Sequence, residues 1–179
     1  MRKVLFILGQ LSDEDVDWLA NTGSRIDVAT GITIIEEGKP VRDMYILLDG
    51  KMSVSVQGVG EISQIGSGEI IGEMSFIDNS PPAASVKAVI PCRLLRLPRS
   101  ALERRIAENP VFAAHFYKAI ATFLSDRLRG TVSRLGFGKA GALKDEEMEG
   151  ELDLNILDNI HLAGARFDRM LKKLNGMGG

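Results

Sequence analysis

A chain of 179 residues that is 45% apolar and 26% charged has the make-up of an ordinary water-soluble protein, with room for one compact core and an appendage; wholesale disorder and a disulfide-knit scaffold are excluded. A formal net charge of −2 leaves no electrostatic basis for a protein whose main task is to neutralise phosphates along a duplex, so DNA is not an expected partner. Cys92 is the only cysteine, which rules out an intrachain disulfide and a cysteine-rich zinc site and fits a cytoplasmic location. The opening Met1-Arg2-Lys3 leads into only five apolar residues, Val4 to Leu8. That run is shorter than a signal-peptide core and far below the ~20 residues needed to span a bilayer, so no targeting or membrane segment is expected.

From Leu11 onward, Ser12 as cap, Asp15 three residues later and acids in the first turn predict a short helix over 13–22. Ile32 to Ile35, Met44 to Leu48 and the alternating Lys51 to Gln57 read as strands, and two more are predicted near 84–89 and 93–97, ending at Pro98. Turn residues punctuate these runs as a sandwich or barrel requires, and Asp49-Gly50 between two strong strands predicts a hairpin. The sheet then occupies roughly 25–97.

After Pro98 the period changes to that of a helix. Ser100 is the expected cap of a short helix over 101–108, ended by Asn109-Pro110, and a long helix over 111–135 follows. Its stripe of Phe112, Phe116, Ile120, Phe123, Leu124, Leu128 and Leu135 is too long and bulky for a small sheet to cover, which points to a second copy of the helix as partner. Lys144 to Asp153 holds six acids against one base, so residues 136–151 read as a solvated linker between a unit at 1–135 and a last amphipathic helix at 152–174.

Neither His115 nor His161 has an acid and a nucleophile at catalytic spacing, so no enzyme, metal centre or required cofactor is predicted. Gly66-Ser67-Gly68 through Gly72 has one residue too many for a dinucleotide fingerprint and no helix-then-parallel-strand context. The informative stretch is Gly68 to Phe76 followed by a loop with Pro81 and Pro82, then Ala83, Ala84, Ser85 and Val86. A sheet protein interrupted by a glycine, an acid and one short apolar turn presents amides to an anion, with Glu73 able to accept from a hydroxyl and Ser85 able to donate. The plainer alternative is that Gly72 turns the chain, Glu73 caps the turn and Ser85 is an ordinary strand residue.

These residues resemble the phosphate-binding cassette of the cyclic nucleotide-binding domain family, the regulatory fold of the catabolite activator protein and of cAMP-dependent kinase regulatory subunits. The resemblance covers roughly 11–135 and includes Gly38, Met44 to Gly50, Gly66 and Gly68, Gly72-Glu73, Pro81, Ala84-Ser85-Val86 and the long helix. It implies a mainly β fold, an eight-stranded β-jelly-roll barrel with flanking helices. It further implies a cAMP or cGMP site built from Gly72, Glu73, Met74, Ser75, Ala83, Ala84 and Ser85, in which Glu73 holds the ribose 2′-hydroxyl and the amides of the turn hold the phosphate. Thr131 falls about where adenine-binding relatives place a polar residue. The sequence departs at Pro82, where the family carries an arginine for the phosphate; losing such a pair costs on the order of 2–5 kcal/mol, roughly 30-fold or more in affinity. The 44 residues after 135 offer one helix, too little for a helix-turn-helix domain. Two readings stay open: a non-enzymatic sensor for signal transduction, homodimeric through 111–135 and signalling through its C-terminal helices, and a nucleotide-independent dimeric scaffold whose helix 152–174 docks on a protein partner.

Overall fold

The computed structural model describes residues 8–134 and 154–176. In chain order its elements are α1 (Asp13–Thr22), β1 (Ser24–Val28), β2 (Thr33–Ile35), β3 (Asp43–Asp49), β4 (Lys51–Val56), β5 (Gly60–Gly66), β6 (Ile70–Ile71), α2 (Glu73–Asp78), β7 (Ser85–Ala88), β8 (Cys92–Pro98), α3 (Arg99–Glu108), α4 (Pro110–Arg134) and α5 (Leu154–Gly176). The strands form two four-stranded antiparallel sheets, β1-β8-β3-β6 and β2-β7-β4-β5, the jelly roll that the resemblance implies. Leu47, Met52 and Leu94, all fully buried, fill the space between them.

The first sheet is covered on its other face as well, because Met44, Ile46, Leu48, Leu95 and Leu97 join residues of α1, α3, α4 and α5 in a second apolar cluster. Burial on both faces is why the sequence of β3 runs apolar without a break, whereas β4 alternates. The same contrast corrects the hairpin predicted at Asp49-Gly50. Asp49 pairs with Arg93 in the first sheet and Lys51 pairs with Gly66 in the second, so Gly50 is the corner where the chain changes sheets. Its φ of +109°, and a position where a Cβ would lie 2.8 Å from the Pro91 carbonyl oxygen, leave glycine as the residue that fits. The tight hairpin is instead β4–β5, closed by the Val59 amide donating to the Val56 carbonyl at 3.1 Å.

Of the two predicted helix caps, one is built as predicted and one is not, and the predicted stop at Asn109-Pro110 is found. At α1 the Ser12 hydroxyl accepts from the Asp15 amide at 3.1 Å while the Asp15 carboxylate accepts from the Ser12 amide at 2.8 Å, a capping box. Ser100 caps nothing: β8 runs directly into α3, with Pro98 at the cap position and the Arg99 amide donating to the Arg42 carbonyl at 3.0 Å. Asn109 both ends α3 and starts α4, its Oδ1 accepting from the Phe112 amide at 2.9 Å, and Pro110 takes the first helical position.

Asp15 also faces the long helix, with Oδ2 2.7 Å from His115 Nδ1. Burial works against its carboxylate, but the Ser12 amide, the His115 ring and the Ser12 hydroxyl together outweigh it and hold the carboxyl below its usual range. A depressed carboxyl contributes stability that is present above the unfolded carboxylate range and lost as pH falls through the folded one. Asp15→Asn is therefore expected to cost about 1–3 kcal/mol at pH 7 and progressively less below about pH 4, read by thermal unfolding in a pH series.

The long helix buries Phe112, Phe116, Ala119, Ile120 and Phe123 against its own barrel, so over this stretch the stripe has no need of the second copy expected from its bulk. Beyond Phe123, Leu124 packs partly, Leu128 and Val132 are exposed, and Leu135 lies outside the described residues, as do the linker at 136–151 and the start of the last helix at 152–153. The apolar face of that last helix, expected to dock on a partner, is laid on α1: Ala163, Met170 and Leu174 are buried in the cluster that holds Leu8, Leu11, Val16 and Leu19. Arg166 Nε pairs with Asp13 at 2.6 Å and its Nη1 donates to the Leu8 carbonyl at 3.1 Å, while Arg169 grips Asp17 through Nε at 2.9 Å and Nη2 at 2.5 Å. The acids of α1 and the bases in the second half of α5 thus make the two helices electrostatic complements across one seam.

Candidate functional site

Between β6 and α2 the chain turns at Gly72, whose φ of +91°, and a position where a Cβ would lie 3.1 Å from the Asp43 carbonyl oxygen, suit a residue without one. The turn delivers Glu73 inward at the first position of α2, 3% exposed at its side chain. Arg99 fastens the helix from outside: its Nη1 donates to the Ser75 carbonyl at 3.0 Å, it hydrogen-bonds the Asn79 side chain, and its guanidinium lies 5.5 Å from the centre of the Phe76 ring. Phe76 in turn meets Phe116 of α4 edge-on at 5.7 Å. The loop after α2 is tied to the turn between β2 and β3 by the Gly38 amide donating to the Pro82 carbonyl at 2.9 Å.

These anchors frame a cavity of about 100 Å³, partly open to solvent and narrower than a typical small-molecule site. Its walls are apolar side chains of both sheets, including Ile35, Ile71 and Val86. Gly72, Glu73, Met74, Ser75, Ala83 and Ala84 all line it, so the structure brings together six of the seven predicted site residues, with Pro82 beside them. The seventh, Ser85, does not line it; its hydroxyl accepts from the Glu37 amide at 3.0 Å. Lys87 points to solvent from β7, Arg42 lies outside the cavity, and the Thr131 hydroxyl donates to the Arg127 carbonyl at 2.9 Å within its own helix.

The residue that sequence reasoning missed is Arg127. It comes from α4, its Nη1 donates to Glu73 Oε1 at 2.6 Å, and its guanidinium lies 5.2 Å from the centre of the Phe123 ring. Burial pushes the Glu73 carboxyl above the usual carboxylate range, and Glu69 adds to the rise; the charge of Arg127, the Glu73 backbone and the Arg127 hydrogen bond oppose it without cancelling it. The signal was there in the spacing. Phe112, Phe116, Ile120 and Phe123 step at three and four, the next step from Phe123 lands on Arg127, and a cation on the line of a buried stripe needs an acid to meet it.

Two four-stranded sheets rolled together are interrupted by a short helix that turns a glycine and a buried acid into a cavity beside the long helix. Residues 25–109 match the family model of the cyclic nucleotide-binding domain, and that segment belongs to the family. Among curated proteins, the chain is similar to a CRP-like cAMP-activated global transcriptional regulator of Mycobacterium tuberculosis, 26% identical over 114 residues that make up 62% of this chain and 49% of that protein. It is also similar to a cAMP-dependent protein kinase regulatory subunit of Aspergillus fumigatus, 31% identical over 99 residues, 55% of this chain and 24% of the other. The chain thus spans about half the length of the first and a quarter of the second. A solved cyclic nucleotide-binding domain from Methylobacillus flagellatus superposes with a TM-score of 0.68 at 26% identity, covering 80% of this chain and 85% of that one. Among the described residues, no helix is long and apolar enough to cross a membrane, and no group of His, Cys, Asp and Glu is placed to hold a metal ion.

Proposed function

We propose that this chain is a non-enzymatic regulatory module that takes a cyclic nucleotide, cAMP or cGMP, in the cavity above α2 and reports its occupancy through α4 and α5. The observation that carries this reading is the Arg127–Glu73 bond, because α4 reaches into the cavity and touches the one acid among the described residues lining it. A ligand hydroxyl that engages Glu73 must rearrange a bond belonging to the helix, so binding and helix position become linked equilibria. Downstream, α4 shares its apolar cluster with α1 and α5, so a shift of α4 alters the seating of the last helix. Calorimetric titration of the nucleotide-stripped chain with cAMP and with cGMP up to millimolar concentration tests the binding, and amide hydrogen exchange over 124–134 and 161–176 tests the coupling. Saturable heat with altered protection in both stretches is the expected result. Absence of heat together with absence of a thermal shift would sink the reading.

A second reading, a nucleotide-independent dimeric scaffold, is favoured by Pro82, which brings neither charge nor N–H into the cavity. Its dimer contact would use the outer end of α4, where Leu128 and Val132, 64% and 41% exposed and one turn apart, form an uncovered apolar pair. Sedimentation of a Leu128→Glu variant addresses that contact, and an unchanged mass excludes it. A partner helix competing for the α1 surface would first have to displace α5.

A further inference from the structure

We infer that Arg127 is the residue that neutralises the ligand's phosphate in this cavity, supplying from the long helix the positive charge that position 82 does not supply from the loop. The inference rests on the reading that a cyclic nucleotide binds here. Such a ligand is a phosphodiester monoanion, and an anion is stable among apolar walls only with a cation or converging donors. Among the described residues lining the cavity, Arg127 is the sole cation. Pro82, beside the loop's small residues, has no N–H, and its carbonyl already accepts from the Gly38 amide. The helix α2, at six residues, is too short for its dipole to hold a phosphate unaided.

Arg127 has the means. Its bond to Glu73 uses Nη1, whereas a guanidinium carries five N–H donors in a planar fork that suits a phosphate. Its side chain is 30% exposed and stacks on Phe123, so the head sits at the rim with room to turn. In the empty cavity Arg127 and Glu73 neutralise each other. When the nucleotide enters, the guanidinium turns to span Glu73 and the phosphate and Glu73 also accepts from a sugar hydroxyl, so the ion pair gains two ligand contacts without leaving a buried acid unpaired.

The alternative role for the same geometry is a plug that the ligand must expel, and the two roles predict opposite signs. The experiment is calorimetric titration of the full chain with cAMP and with adenosine, which lacks the phosphate, for wild type, Arg127→Gln, Pro82→Arg and the double variant, each first shown to melt cooperatively. Expected are a loss of at least tenfold in cAMP affinity for Arg127→Gln, adenosine affinity within about twofold of wild type, and recovery of cAMP binding when Pro82→Arg is added. Unchanged or tighter cAMP binding by Arg127→Gln, or equal losses for cAMP and adenosine, overturns the assignment while leaving the nucleotide reading intact. Binding by Pro82→Arg where wild type shows none overturns it too, since Arg127 would then not suffice. No binding by any variant, Pro82→Arg included, overturns the nucleotide reading itself and the assignment with it. Should Arg127→Gln fail to fold, the comparison of Glu73→Gln with Glu73→Gln/Arg127→Gln carries the same test, because no unpaired acid is left behind; a cAMP-to-adenosine preference that is equal in the two overturns the assignment.

Discussion

Met170→Ala is expected to lower the stability of the chain by about 3 kcal/mol, within the 2–5 kcal/mol that buried methionine truncations cost, and to lower the melting temperature by roughly 6–12 °C. Met170 is fully buried in the cluster built from α1, α4 and the outer face of the first sheet, with Ala163 and Leu174 beside it. Removing its thioether leaves a cavity that helices fixed at other points close only in part. The ion pairs along the same seam predict a different magnitude: Arg169 is 51% exposed and Asp17 24%, so Arg169→Ala is expected to cost only about 0.5–1 kcal/mol and to be masked by salt. Differential scanning fluorimetry or chemical denaturation of the two variants separates the seam from its charges. If α5 were a tethered appendage, Met170→Ala would leave the main transition where it is.

That seam also marks the limit of what the sequence makes legible. The capping box at Ser12 and Asp15, the alternating strand at 51–56 and the glycine-acid turn at 72–73 are local, each fixed by residues within a few positions of one another, and each is found as read. The pairing partners of β3 are not local. A run apolar at every position, Met44 to Leu48, says that both faces are buried without saying which strand lies alongside, and the attractive Asp-Gly dipeptide then suggests a hairpin where the chain changes sheets. In α4, too, the distant part of the packing is not legible locally. The bulk of Phe112, Phe116 and Phe123 suggests a second copy, yet these rings are buried in a cluster that also holds residues of the first sheet, α1 and α5, and the α5 residues in it, Ala163, Met170 and Leu174, lie some 150 positions from α1 in sequence. At the site, the residues contributed by one continuous segment were recovered together. Arg127, which comes from a helix that begins 37 residues after Glu73, was visible only as a break in an apolar stripe.

Arg127→Ala should cost about 3 kcal/mol at pH 7, and the cost should depend on pH in a direction that identifies its cause. Glu73 is 3% exposed at its side chain, and removing the partner of a buried ion leaves an uncompensated charge, a loss of roughly 3–5 kcal/mol; the lower end applies because the Arg127 side chain keeps 30% exposure. With Arg127 in place the Glu73 carboxyl already lies above its usual range, and burial is the largest cause. Without the guanidinium it rises further. A carboxyl whose folded value exceeds its unfolded value favours folding below the unfolded range and loses that contribution as pH rises through the folded one. The variant should therefore recover stability relative to wild type as pH is lowered from about 8 to about 5, while Asp15 remains ionised and its opposite dependence stays out of the window. Adding Glu73→Gln to Arg127→Ala removes the buried charge altogether and should flatten the profile near the wild-type value. A loss that stays constant across this range would assign the effect to packing on Phe123, and α4 would then be held over the cavity by shape. A loss that fades in acid means the long helix is held there by a charge that an incoming ligand can claim.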